Sequence, residues 1–173
     1  MLAAGVLVVF GAFGRAVTTS LDTVVDSLNP TSSAVTETPA DLGVTGTTMK
    51  TDLESMGFQF ADSDFSDQGR IMGECRQRVQ VVELVGSPER VSSVTLATTL
   101  LDDPKQNSAQ VDAMVSVLQE TVPGWDGKAW LTASIPIAMD RGLVEMQAGS
   151  THVTLKSFNV RDMRPLLLII QSK

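Results

Sequence analysis

Cysteine and histidine occur once each in these 173 residues, as Cys75 and His152, and tyrosine is absent. A single cysteine excludes an intramolecular disulfide, and one Cys with one His is too few for a structural zinc site. Basic residues are scarce, 13 against 20 acidic ones, so the net charge is −7. With no basic cluster to offset that charge, phosphate backbones repel the surface, and nucleic acid is not an expected partner. The same balance argues against a polybasic grip on anionic lipid. No nucleotide-binding, metal or catalytic motif is present, and no cofactor is expected. No internal repeat is visible either. What remains is 43% hydrophobic and 19% charged, the composition of a globular chain.

The long apolar run needed to cross a bilayer is also missing. Leu2–Gly14 (LAAGVLVVFGAFG) has 13 residues, whereas a spanning helix needs about 20. The run matches the apolar core of a secretory signal, yet no basic segment precedes it and no convincing small-x-small cleavage site follows. Helical spacing continues through Val17, Leu21, Val24, Val25 and Leu28 until Asn29-Pro30. The expectation is an apolar N-terminal helix over 1–28, an anchor or partial signal whose true start or basic front is missing from this sequence. The membrane is then the expected partner of residues 2–28. Residues 29–48 are rich in Thr and Ser and carry Pro30, Pro39, Gly43 and Gly46. They bury too little apolar area to offset their ordering entropy, so a flexible linker is expected.

Residues 49–173 carry the patterned region. Thr51-Asp-Leu-Glu54 reads as a capping box opening a short helix to about Met56, ended by Gly57. Phe58 and Phe60 alternate with Gln59 as in a strand. Strands are expected over 69–74 and 79–85, with Cys75-Arg-Gln-Arg78 as the turn between them, and over 91–101 after the turn Gly86-Ser-Pro-Glu89. Asp103-Pro104 opens a helix whose stripe is Val111, Met114, Val115, Leu118 and Val122, with Pro123-Gly124 as its stop. A second helix follows with Asp126 as cap, kinked or ended by Pro136. Leu143–Ala148 and Thr151–Phe158 form a hairpin about Gly149-Ser150, and Leu166–Gln171, apolar on both faces, reads as a central or covered strand. The expected class is α+β: an antiparallel sheet of about five to six strands (a meander, one or two helices, then a hairpin plus strand) with the helices on one face.

Ile71-Met72-Gly73, Glu83-Leu84-Val85-Gly86 with Pro88, Leu96, Pro123 with Trp125, and Trp130-Leu131 form a pattern. It resembles an uncharacterised prokaryotic family of small domains, often placed after a signal or membrane anchor. The resemblance spans about Met56 to Ile170. It implies an extracytoplasmic α+β module and transfers no activity or site residue. The weak basic front and Cys75 depart from the family pattern.

Four groups of residues are candidates for function. Asp62, Asp64 and Asp67, with Ser66, are hard-cation ligands by type, but an EF-hand loop wants glycine where Asp67 stands and glutamate where Gly73 stands. A solvated acidic loop is the expectation. Cys75 lies beside Arg76 and Arg78, which would lower its pKa, but nothing in the sequence brings His152 to it. Trp125 and Trp130 either line a ligand or partner surface or lock a helix on the sheet. Of eight methionines, Met114 and Met146 fall on expected core faces. The leading expectation is a non-enzymatic membrane-tethered or exported binding domain for a protein or small ligand. The alternatives are a subunit of a membrane assembly held through its N-terminal helix, and an enzyme using Asp62, Asp64, Asp67 or Glu74. Fusing residues 1–30 to a soluble reporter tests the tether: membrane association is expected, and a fully soluble fusion would sink it.

Overall fold

The centre of the sheet is a strand that the chain delivers last. In the computed structural model, which describes residues 40–100, 104–158 and 165–173 and the side chains of all of these except 104–106, the strands are β1 (Gln59–Phe60), β2 (Arg70–Cys75), β3 (Gln80–Gly86), β4 (Val91–Thr99), β5 (Leu143–Ala148), β6 (Thr151–Ser157) and β7 (Pro165–Ser172). The helices are α1 (Gly46–Ser55), α2 (Pro104–Thr121) and α3 (Gly127–Arg141). All strands pair antiparallel in the order β1-β2-β3-β4-β7-β6-β5. The first half of the sheet is thus a four-stranded meander (β1–β4) and the second a three-stranded one (β5–β7), each preceded by helix, and their last strands, β4 and β7, meet in the middle. Thr38–Lys173 group as one compact unit. The apolar segment 1–28, the linker up to Pro39 and the expected cap Asp103 lie outside the described residues.

The expected α+β class and its antiparallel sheet are present. Among the described residues, the sheet has seven strands where about five to six were expected, and three helices pack on it where one or two were expected. Register explains the helix-bearing face. Ile71, Leu84, Val94, Ile170, Val153 and Met146 align across the strands, and Gly73, Val82, Leu96, Leu168, Leu155 and Val144 form the adjacent row. Met49 and Leu53 of α1, Met114 and Leu118 of α2 and Leu131 and Ala138 of α3 join these rows in one core cluster. Each fully buried Leu or Ile there is stabilised by about 1.5–3 kcal/mol relative to exposure. Met146 lies on that face, as its pattern predicts, but is only half-buried because β5 is the sheet edge. The other face carries Met72, Glu83, Thr95, Ile169, Thr154 and Glu145 in one row. Arg70 approaches Glu83 there at 3.4 Å.

Local signals and tertiary contacts disagree at three places. The first helix starts at Gly46, inside the stretch expected to be linker, and not at the Thr51 capping box. Thr45 is the cap, its hydroxyl accepting from Thr48 N–H at 3.1 Å. Contacts with the β3–β4 turn explain the earlier start: Thr47 N–H donates to Pro88 O, and a Cβ on Gly46 would stand 2.4 Å from Ser87 O. Thr51 instead donates its hydroxyl to Thr47 O within the helix. The expected stop holds: Gly57 has φ +91°, and Phe58 N–H reaches back to Leu53 O.

The second place is Cys75, which is the last residue of β2 and buried, not part of the turn. The turn is a short 3-10 stretch, Arg76–Arg78, followed by Val79 at φ 54°. A β-branched residue in the left-handed region costs about 1–3 kcal/mol. A glutamine clamp holds it there: Gln110 Nε2 donates to Arg78 O at 2.7 Å and Thr99 O at 2.9 Å, and Gln80 Nε2 donates to Gln110 O at 3.0 Å. The third place is Pro136, which neither ends α3 nor is buried. Its solvent position lets water take the carbonyl that proline cannot serve, while Leu131, Ser134 and Ala138 anchor the helix on both sides of it.

Candidate functional site

Three segments far apart in sequence enclose an open cleft of about 550 Å³. They are the entry segment Asp41–Gly43, the stretch Thr121–Trp125 that leaves α2, and the β5–β6 hairpin tip Ala148–Thr151. The entry segment is held like an extra strand. Leu42 N–H donates to Val91 O at 2.8 Å, and Val91 N–H donates to Val44 O at 3.1 Å. Thr121–Trp125 is fixed by the end of α2: Val122 N–H donates to Leu118 O, Trp125 N–H donates to Val122 O, and Asp126 caps α3 through Ala129 N–H at 3.0 Å. The hairpin tip is braced by Gln147 Nε2 on Gly149 O at 2.7 Å. The end of β7 ties two of these segments together. Ser172 Oγ donates to Ala40 O at 2.6 Å, and Lys173 N–H donates to Ser150 O at 3.0 Å.

Leu42, Thr121, Val122 and Thr151 are buried in the cleft lining, and Trp125 is half-buried there. Thr121 spends its hydroxyl on Val117 O. The Trp125 ring rests on Trp130, with centroids 5.4 Å apart and planes tilted by 47°. Both rings pack against the core, and Trp125 also lines the cleft. Gly43, Gly124 and Gly149 have φ of +75°, +81° and +61°, and a Cβ at any of them would meet nothing within 4 Å. These turns need glycine for their backbone, and the absence of side chains keeps the cleft open.

The other candidates do not gather. Asp62, Asp64 and Asp67 are exposed on the loop before β2, where Asp64 Oδ1 accepts from Phe65 N–H. Among the described residues no group of three His, Cys, Asp or Glu side chains converges on a metal position. Cys75 and His152 lie on opposite faces of the sheet. Cys75 aligns with Gln80, Thr98, Leu166 and Ser157, while His152 aligns with Gln171 and Ser93. Arg76, expected to activate the thiol, bonds Glu74 at 2.7 Å.

Sequence reasoning found Trp125 and missed the rest of the cleft. Asp41–Gly43 falls in the stretch read as linker, and the hairpin tip reads only as a turn. Nothing local places the two beside Trp125. It also missed Glu120, near the end of α2. Burial, aided by the negative charge of Asp52 on α1, lifts its carboxyl pKa from 4.5 to about 7. Neither residue lines the cleft. No protein-family model, curated protein or solved structure matches the chain.

The raised pKa sets a pH dependence. Between pH 4.5 and about 7 the folded state holds a proton on Glu120 that the unfolded chain has released, so stability falls as pH rises through that window. Glu120→Gln removes the loss. Solvent reaches this side chain and screens the effect, so the variant is expected to exceed the parent by about 1 kcal/mol above about pH 8 and to match it in acid. Urea unfolding at several pH values checks this, and parallel stability curves for the two proteins would contradict it.

Proposed function

We propose that this chain is a non-enzymatic binding or interaction domain, tethered to a membrane or exported, and that it meets its ligand in the cleft beside Trp125. The observation that carries this reading is the cleft itself. It lies within the size range of small-molecule sites and has an aromatic wall, a buried apolar floor and a few polar groups at its rim. Backbone hydrogen bonds hold its lining segments, so little ordering cost remains for binding.

The separation of Cys75 from His152 by the sheet favours binding over thiol chemistry. The solvated positions of Asp62, Asp64 and Asp67 likewise offer no enclosed site for carboxylate chemistry. The apolar segment Leu2–Gly14 supports the tether. Among the described residues no helix is long and apolar enough to cross a membrane, so attachment rests on that segment. The resemblance carried by Ile71-Met72-Gly73 and Trp130-Leu131 points to the same extracytoplasmic setting.

A fragment screen read by amide chemical shifts tests the reading. Hits are expected to move the amides of 41–43, 121–125 and 148–151 together. Ser150→Phe, which fills the cleft without touching a left-handed position, is expected to weaken them about tenfold or more, a loss of about 1.4 kcal/mol. Hits scattered over the surface, or gathered at the Asp62–Gly69 loop, would overturn it.

A further inference from the structure

Among the described side chains lining the cleft, Asp41 is the one acidic or basic residue. Its Oδ1 accepts from Gly43 N–H at 2.9 Å, which leaves Oδ2 for another donor. The remaining lining is apolar (Leu42, Val122, Pro123, Ala148), hydroxyl, or glycine backbone, together with the Trp125 ring. Among the described residues, no Lys, Arg or His side chain lines it. Lys173 is tied nearby through its backbone to Ser150 O, but its side chain is exposed to solvent. The chain as a whole carries −7.

These features select a charge. A carboxylate or phosphate entering the cleft would lose water and meet Asp41 with no cation in the lining to compensate it. A neutral body would gain the apolar floor but offer no charge to the Asp41 carboxylate, whose one bonded donor among the described residues is the Gly43 N–H. A cation on a compact apolar body suits both parts of the lining: its charge suits the Asp41 carboxylate and the Trp125 indole, the best of the aromatic rings for a cation, and its apolar part suits Leu42, Val122 and Ala148. The left-handed glycines at the rim leave room for a bulky, substituted nitrogen.

Building on the reading of the cleft as the binding site, we propose that it recognises a small organic ammonium, with Asp41 and Trp125 as its two charge-selecting groups. The probes are choline, tert-butylethanol (3,3-dimethylbutan-1-ol), in which carbon replaces the charged nitrogen, and tert-butylacetate, the anion of tert-butylacetic acid (3,3-dimethylbutanoate), which keeps the apolar head and carries a negative charge. The chain has two tryptophans and no tyrosine, so intrinsic emission comes from the Trp125–Trp130 pair and reads the cleft through Trp125, the one of the two that lines it. Choline is expected to shift that emission with an affinity about tenfold above that of tert-butylethanol, with tert-butylacetate weakest. Asp41→Asn is expected to abolish the choline advantage and leave the alcohol unchanged. Asp62→Asn, outside the cleft, is expected to change neither. Equal binding of choline and tert-butylethanol, or tighter binding of tert-butylacetate, overturns the ammonium assignment. An unaltered choline advantage in Asp41→Asn overturns the role of Asp41. Silence of all three probes while fragments still gather at the cleft overturns this inference alone, whereas silence together with scattered fragments removes the binding site as well.

Discussion

The pairing of β4 with β7 is the constraint on which the rest of the structure depends. It joins two meanders that are otherwise separate, through seven register pairs from Ser93↔Gln171 to Thr99↔Pro165. β7 also pairs with the whole of β6, from Thr151↔Ser172 to Ser157↔Leu166. Without β7 both halves would present an open edge, and the core rows through Leu168 and Ile170 would be broken in the middle. Its composition fits that duty. Leu166, Leu168 and Ile170 face the helices, while Leu167 and Ile169 are buried on the opposite face. An amphipathic strand suits an edge or a half-exposed sheet, but a strand flanked by two others at the centre of a core does not need a polar side.

The same strand assembles the cleft. Its last residues reach the entry segment through Ser172 and the hairpin tip through Lys173. Two of the three cleft segments are therefore registered by the strand that closes the core. The third is placed by α2 and α3, which approach closely where Gly127 meets Leu118; a Cβ there would stand 3.0 Å from the leucine side chain. Stability and site geometry are coupled in this fold, since the cleft has no support independent of the core. The helix-bearing face also stores cost. Among the described residues, Gln80 Oε1, Thr98 Oγ1 and Gln110 Oε1 are buried with no protein hydrogen-bond partner, and a buried acceptor left unpaired costs about 1–3 kcal/mol. The amide groups of the same two glutamines hold the strained turn at Val79. Fixing that turn keeps β2 and β3 in register at the base of the sheet.

The elements were legible in the sequence wherever the signal was local. Alternation exposed β4, unbroken apolarity exposed β7, Asp126 marked the start of α3, and Gly149-Ser150 marked the hairpin. Boundaries failed where tertiary contacts outweighed local preference. The Thr51 capping box lost to Thr45 because the β3–β4 turn supports an earlier start, and Pro136 did not stop α3 because buried contacts hold the helix on both sides. Strand order was only partly legible. Apolarity on both faces marked β7 as central, but no residue names β4 as its neighbour. The cleft was the least legible feature, because its segments lie at 41–43, 121–125 and 148–151 and meet only after β7 is in place. Trp125 drew notice as a large aromatic beside a helix start, whereas Asp41 sat in a Thr- and Ser-rich stretch with nothing to distinguish it.

Native-state hydrogen exchange tests the central role of β7 most directly. If β7 closes both the core and the cleft, the amides of Leu166–Ile170 and of Val94–Thr98 should be the slowest to exchange. They should open with one common free energy equal to that of global unfolding, and with the same denaturant dependence. Exchange of the β7 amides through a smaller opening, while β2, β3 and β4 remain protected, would mean that β7 is an accessory strand and would contradict the account.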